Sequence, residues 1–235
     1  MTQTIFLEDC YIKECEAAVI AAEGNKAELD KTVFCYEGGG QPSDNGKIVS
    51  SSGDDFAVVN VKKESGKIMH YLDKEGLKTG DNVHCVIDWG RRHKLMRYHT
   101  AAHILSAVVN RRTGALITGN QISVDQARFD FDLENFDRAV VEECVKDANE
   151  AIKRNMTVKM YLMQREEAMK IPGVVKLAGA LPPQIDKLRI VEIGDVDTQA
   201  DGGTHVGNTS EIGRIEILKM ENKGKSNRRV YFRLV

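Results

Sequence analysis

His99 and His103 stand four residues apart in the stretch GRRHKLMRYHTAAHILSAVVNRRTG, residues 90–114. On an α-helix four residues advance about 6 Å and return to nearly the same face. Both imidazoles can therefore point at one metal ion from one rigid element. The pair alone is equally compatible with two partly buried histidines holding ordinary hydrogen bonds. Far along the chain, DTQADGGTHVGNT at 197–209 sets His205 behind a Gly-Gly pair in a loop. Three imidazoles from a helix and a loop suit one Zn²⁺ per chain, with a carboxylate or a water in fourth place. Asp201, four residues before His205, is placed to ligate the ion or to hold its water. Neutral histidines and one carboxylate leave the centre with a net positive charge, which polarises an ester carbonyl or acidifies a bound water. The HExxH pattern of metalloproteases carries a Glu between its histidines. Thr100 stands there in this chain, which disfavours a protease.

Two further groups of residues bear on chemistry. EGGGQPSDNG at 37–46 holds three consecutive glycines, Gly38, Gly39 and Gly40, which open backbone conformations and close approaches denied to other residues. No Gly-Lys-Ser/Thr follows, so the block is not a P-loop. It reads either as a turn of a barrel or as a loop beside a ligand, with Thr32 and Gln41 as polar groups able to read a small substrate. The last group is basic. Arg91, Arg92, Lys94 and Arg97 open the histidine helix, and Lys223, Lys225, Arg228 and Arg229 lie in or beside a hairpin turn. Such runs are commonly solvated faces. As phosphate contacts they would position RNA without reading its sequence.

The elements that must position these residues change character along the chain. Up to residue 88 the segments are short and strand-like, at 16–21, 56–61, 67–72 and 82–87, with turn residues between them. That pattern predicts a small antiparallel barrel. Asp88 is placed to cap the histidine helix, and Thr113-Gly114 to end it. Leu95, Met96, Ala102, Ile104, Ala107 and Val108 give that helix its apolar surface. Strands are expected at 115–117 and 122–131, followed by a helix over 136–154 capped by Asn135. Further strands follow at 158–163 and 188–193, a short helix at 165–170, and a hairpin of 216–220 with 229–234. Helices against one antiparallel sheet make an α+β layer. The expected division is a barrel at residues 1–88 and an α/β domain at 89–235.

Bulk properties narrow the class. The chain has 235 residues, 42% of them hydrophobic and 29% charged, with a formal net charge of −2. This is ordinary globular composition, although residues 89–124 contain six Lys and Arg and no Asp or Glu. Five cysteines, Cys10, Cys15, Cys35, Cys85 and Cys144, form no CxxC pair. An odd number without a framework points to a reducing compartment and no disulfide partner. No apolar signal core opens the chain and no run reaches the roughly 20 apolar residues of a membrane span, so a cytoplasmic protein is expected.

Taken together, four blocks in order resemble the AlaX family of free-standing alanyl-tRNA editing proteins, relatives of the alanyl-tRNA synthetase editing domain. They are LDKTVF at 29–34 with EGGGQPSDNG, then MRYHTAAHILS at 96–106, then GNQI at 119–122, then DTQADGGTHVGNTSEIG at 197–213. The glycine-rich block marks the medium-length form. The resemblance implies an N-terminal barrel before a two-layer, zinc-containing editing domain, with no aminoacylation. It implies hydrolysis in trans of tRNA(Ala) mischarged with serine or glycine, sparing Ala-tRNA(Ala). An alanine pocket cannot strongly exclude either amino acid, so a second sieve is needed. By position, His99, His103 and His205 match the zinc ligands. Thr32 and Gln41 match the polar residues near the aminoacyl group. Gly38, Gly39, Gly40 and Thr204 are expected beside the substrate, and Arg91, Arg92, Lys94, Lys223, Lys225, Arg228 and Arg229 against tRNA phosphates. Many relatives carry a cysteine ligand where Asp201 stands, so a three-histidine site completed by Asp201 or water is expected. The competing expectations are a non-catalytic tRNA-binding module with a structural zinc, and a zinc hydrolase that needs no RNA.

Overall fold

The computed structural model describes residues 2–132, 138–174, 185–224 and 227–235. The chain forms two compact units, Met1–Lys94 and Leu95–Val235. Among the described residues no helix is long and apolar enough to cross a membrane.

The first unit is the expected antiparallel barrel. Its strands are β1 (Glu14–Glu23), β2 (Lys26–Leu29), β3 (Gly46–Ser50), β4 (Asp55–Glu64), β5 (Lys67–Leu72) and β6 (Asn82–Ile87). They close in the order β1-β2-β5-β4-β3-β6, every neighbour antiparallel. Period-two alternation builds the wall: Phe56 and Val58 of β4, and Val83, Cys85 and Ile87 of β6, point inward with Leu29, Phe34, Ile48 and Leu72. Ser65 and Gly66 both have positive φ, 49° and 84°, as a two-residue turn between twisted strands requires. The sequence pattern does not reveal β2 and β3, which are short and interrupted by polar residues.

The glycine-rich block is pinned inside this unit. Gly38 and Gln41 pair through both backbone hydrogen bonds, 3.0 and 2.9 Å, around Gly39 and Gly40, whose φ values are 57° and 85°. The block is thus a tight turn that only glycine forms without strain. A Cβ at Gly46 would collide with the backbone of Val86 and Ile87, so the last glycine of the block serves strand packing. Between them, Asp44 is fully buried against Arg92.

Arg92, expected to contact phosphate, is instead a structural centre of the barrel unit. Its guanidinium is completely buried. Nε donates to Asp44 Oδ1 (2.9 Å), Nη1 to Cys10 O (3.0 Å) and Nη2 to Val33 O (2.7 Å) and to Asp44 Oδ2. Asp44 Oδ2 also accepts Cys35 N–H at 2.6 Å. An ion pair this deep is tolerable only with its remaining hydrogen-bonding capacity filled, and here one arginine ties residues 10, 33 and 44 together.

The second unit is organised by α1 (Trp89–Thr113), whose residues 89–94 belong to the first. Asp88 caps it, accepting Arg91 N–H at 3.0 Å, and Gly114 ends it at φ 74° with its N–H on Asn110 O. Every residue from 98 to 109 is buried. Leu95, Met96, Ala102, Ile104, Ala107 and Val108 are buried as expected, and over 98–109 the helix is covered on all faces, as an interior helix is.

Around it lie two sheets. Strands β7 (Ile117–Ile122), β8 (Ala127–Asp132), β12 (Ile215–Asn222) and β13 (Asn227–Leu234) form an antiparallel sheet in the order β12-β13-β8-β7. The strand expected over 122–131 is broken at 123–126, where Ser123 N and Oγ both donate to Gln126 O and make a turn. α2 (Arg138–Lys153) buries Val141, Cys144, Val145 and Ile152. Its Asn149 side chain exchanges two hydrogen bonds with the Ile215 backbone, at 2.8 and 3.0 Å. Asn135 and the expected start of this helix lie outside the described residues. β9 (Val158–Gln164), β10 (Lys187–Ile193) and β11 (Asp197–Ala200) form a separate three-stranded antiparallel sheet. One sheet was expected; β9 and β10 instead pair along their whole lengths and take β11 on the other side of β10.

Removing one partner of a buried ion pair costs roughly 3–5 kcal/mol. Urea unfolding of Asp44→Ala is expected to show a loss of that size, largely regained in the double variant Asp44→Leu/Arg92→Met. An unchanged Asp44→Ala midpoint would contradict the role given to this pair.

Candidate metal centre

His99 and His103 project from α1, and Asp201 and His205 from the loop after β11, all within the second unit. One ligand atom from each of the four lies within 4.8 Å of the others. The imidazole centroids are 4.4 Å (His99–His205), 4.8 Å (His103–His205) and 5.1 Å (His99–His103) apart. Asp201 stands at the remaining corner, Oδ1 3.1 Å from His205 Nε2 and Oδ2 3.7 Å from His99 Nε2 and 3.9 Å from His103 Nε2. The three imidazoles are buried; Asp201 is the half-buried, more open member.

Neighbouring groups decide which ring nitrogens face inward. The carboxylate of Asp197 only accepts, so His103 Nδ1–H donates to its Oδ2, at 3.0 Å. Gln199 Nε2 donates to the same oxygen at 2.6 Å. Thr100 gives its hydroxyl proton to Met96 O at 3.0 Å. Its oxygen therefore accepts from His205 Nδ1–H, at 3.3 Å, and from Val206 N–H, at 3.2 Å. Both histidines thus turn Nε2 toward Asp201. A ligating histidine whose other nitrogen is held by a carboxylate or hydroxyl has its tautomer and ring orientation set for a metal. The donor set of three imidazoles and one carboxylate fits Zn²⁺.

The electrostatics agree with a site meant for a cation. Burial pushes His99 down to about 4 and holds His205 well below the usual histidine range. Burial also opposes charge on His103, but the hydrogen bonds to Asp197 and Asp201 outweigh it and raise it to about 9. For Asp201, burial works against ionisation, and the surrounding histidines reverse it, leaving the carboxylate well below its ordinary value. Asp201 is thus a charged acceptor among the three imidazoles.

Three residues that the spacing argument did not assign complete the site. Asp197 and Thr100 orient His103 and His205. Arg189, buried on β10, donates from Nη1 to the carbonyls of Asp201 (3.1 Å) and Gly203 (2.9 Å) and shapes the loop. A charged residue inside the apolar run LRIVEI was the available signal for Arg189. Thr100 is signalled only by its place between the histidines.

The other expected site residues lie as follows. Thr204 is fully buried next to His205. Thr32 is fully buried in the first unit, and His70, which the sequence pattern does not single out, fixes its hydroxyl. His70 Nδ1–H donates to Ala27 O (3.1 Å), so His70 Nε2 accepts the Thr32 hydroxyl proton (2.8 Å). Burial lowers His70 to about 4, keeping it neutral. Thr32 Oγ1 in turn accepts Phe34 N–H at 3.1 Å. Gln41 is buried, with its amide 3.7 Å from Cys35 Sγ.

Several basic residues are committed elsewhere. Arg228 is buried and donates to Gly224 O (2.7 Å), which corrects its reading as a surface contact; its guanidinium folds back on its own hairpin. Arg229 forms a two-pronged pair with Asp130, at 2.6 and 2.7 Å. Arg91 holds Ser43 O and Arg97 holds Ile212 O. Lys94 and Lys223 are exposed, the latter 3.0 Å from Glu221. Lys225 lies outside the described residues.

Loss of a residue that orients a ligating histidine typically lowers metal affinity about 10–100-fold. Asp197→Ala is expected to weaken Zn²⁺ binding by that factor, read by competition with a chromogenic chelator. Affinity equal to the unaltered chain would remove Asp197 from this role.

Comparison with known proteins places this geometry. Residues 188–231 match the family described as threonyl and alanyl tRNA synthetase second additional domain. Residues 3–91 match class II (A) tRNA synthetases. The alanyl-tRNA editing protein AlaX-M of Saccharolobus solfataricus is 50% identical over 234 residues, covering 99% of this chain and 98% of that protein. Its namesake in Methanosarcina barkeri is 48% identical, with both chains covered in full. An alanine–tRNA ligase of Methanococcus maripaludis is 37% identical over 224 residues, which are 94% of this chain and 24% of the ligase. The chain belongs to the AlaX-M family of alanyl-tRNA editing proteins.

Proposed function

We propose that this chain hydrolyses, in trans, tRNA(Ala) mischarged with serine and spares Ala-tRNA(Ala). The observation that carries the reading is the convergence of His99, His103, His205 and Asp201 in a chain half identical to a full-length editing protein. The reaction breaks the ester between the aminoacyl carbon and the ribose oxygen. Water adds, and free serine and uncharged tRNA leave. The physical need is a second sieve, because one pocket discriminates poorly between amino acids that differ by a methyl or hydroxyl group.

His99, His103 and His205 are proposed to hold one Zn²⁺, which when bound polarises a carbonyl or acidifies a water. Asp197 and Thr100 keep His103 and His205 in the ligating tautomer. Asp201, the open corner of the cluster, either completes the ligand set or holds the attacking water as a hydrogen-bond acceptor. Arg189 keeps the Asp201–Gly203 backbone from shifting as the substrate enters. In the barrel unit, Thr32 is assigned the reading of the seryl hydroxyl, with Gln41 beside the glycine turn. Because its own proton goes to His70, Thr32 meets serine as an acceptor, and alanine has no hydroxyl to donate. Lys94 and Lys223 are assigned to phosphates. A mischarged tRNA is met in the cytoplasm, where unpaired cysteines also persist.

One observation favours a second reading for Thr32. Its full burial and double hydrogen bonding suit a purely structural part in the barrel. The alternative for the whole chain, a non-catalytic tRNA-binding module with a structural zinc, draws on Asp201 closing the fourth corner.

Deacylation assays separate these. The unaltered chain is expected to release serine from Ser-tRNA(Ala), with activity lost in His103→Ala and in chelator and regained on adding Zn²⁺. Equal rates for the unaltered chain and His103→Ala would overturn the catalytic reading. Thr32→Val is expected to lower the rate on Ser-tRNA(Ala) without lowering the thermal midpoint by more than a few degrees. A large stability loss with the serine-to-alanine ratio intact would favour the structural part.

A further inference from the structure

Two of the five thiols face each other across the barrel wall. Cys15 of β1 and Cys85 of β6 are direct register partners. The pairing fixes more than adjacency. Ile87 N–H donates to Lys13 O, so the pair 13/87 is a hydrogen-bonded one. Bonded and non-bonded pairs alternate along antiparallel strands, which makes 15/85, two residues on, bonded as well. Cα atoms in such a pair stand about 5.5 Å apart, inside the range a disulfide spans. Both side chains point the same way, because the inward set of β1 runs Ala17, Val19 and that of β6 runs Val83, Cys85, Ile87.

The two cysteines are not equivalent. Cys85 is fully buried, while Cys15 is half-buried. We propose that Cys15 and Cys85 form a reversible thiol–disulfide site, in which Cys15 takes up a small-molecule disulfide and Cys85 resolves it. Exposure favours that division: Cys15 is the less buried thiol, and the thiolate is the attacking species. The neighbouring Cys85 thiol lowers Cys15, with the Val33 backbone and the charge of Lys31 acting in the same direction against burial, while Cys15 and its own burial raise Cys85.

The exchange balances in two steps. The Cys15 thiolate attacks one sulfur of a disulfide RSSR, forms a mixed disulfide and expels RS⁻, which takes up a proton. Cys85 then loses its proton and attacks Cys15 Sγ, forming the Cys15–Cys85 bond and expelling the second RS⁻. The small disulfide is reduced to two thiols, and the protein loses two hydrogens. A cross-strand bridge at a bonded pair has to accommodate the sheet spacing as well as its own geometry. It is thus expected to be reduced more easily than a relaxed structural disulfide.

The full-length protein, reduced and then treated with oxidised glutathione, tests this directly. After alkylation and digestion, mass spectrometry should find a peptide pair linked through Cys15 and Cys85, lost again on adding dithiothreitol. The Cys85→Ser variant should stop at a mixed disulfide on Cys15. No reaction at Cys15, glutathione retained on Cys15 in the unaltered chain, or linkage only through Cys10, Cys35 or Cys144 would each overturn the proposal.

Discussion

A helix buried on every face has no solvent in which to hide a polar side chain. That constraint governs the second unit. Residues 98–109 of α1 are all buried, yet they include His99, Thr100, His103 and Ser106. An unsatisfied polar group in such a place costs about 1–3 kcal/mol, so each must be given a partner by the surrounding fold. Ser106 and Thr100 turn back onto their own helix, at His103 O and Met96 O. The histidines cannot. The outer nitrogen of His103 is met by Asp197 from β11, and that of His205, which the loop brings in, by the Thr100 oxygen; their inner nitrogens are left for Asp201 or a cation. The site is therefore a consequence of burying this helix, and the loop after β11 is shaped to answer it.

The same logic explains why Arg92 and Arg228 lie inside the fold. A guanidinium that reaches backbone carbonyls in a short turn or a barrel wall gains several hydrogen bonds at once, as Arg92 does at three chain positions and Arg228 does in its hairpin. The six Lys and Arg of residues 89–124 look like a basic surface when counted along the chain. In the fold, Arg92 is interior and Arg91, Arg97 and Arg111 hold carbonyl oxygens. Charge counting alone carries no information about which of these cations face water.

How much could be read beforehand follows from how local each signal is. The barrel strands with clean alternation, the capped helix and the His99/His103 pair are written in spacings of two, three or four residues, and these were legible, as was His205 from the Gly-Gly loop before it. The role of the glycines was half legible: their freedom was evident, while their use in one tight turn and one close strand contact depended on the neighbours. Asp44 and Arg92, 48 positions apart, and His70 with Thr32, 38 apart, were not legible. Their meaning rests on which strands lie side by side. The split of the second unit into two sheets was likewise hidden, because β9, β10 and β11 have the same apolar rhythm as the strands of the larger sheet. Asp197 had been visible as the first residue of the histidine loop, but its function appears only once β11 brings it beneath His103.

The central claim is that three imidazoles share one ion. X-ray absorption at the zinc edge of the metal-loaded chain measures this most directly. The account predicts a shell of nitrogen and oxygen at about 2.0–2.1 Å with the outer-ring scattering of three imidazoles. A sulfur shell at about 2.3 Å, or an oxygen shell without imidazole scattering, would contradict it.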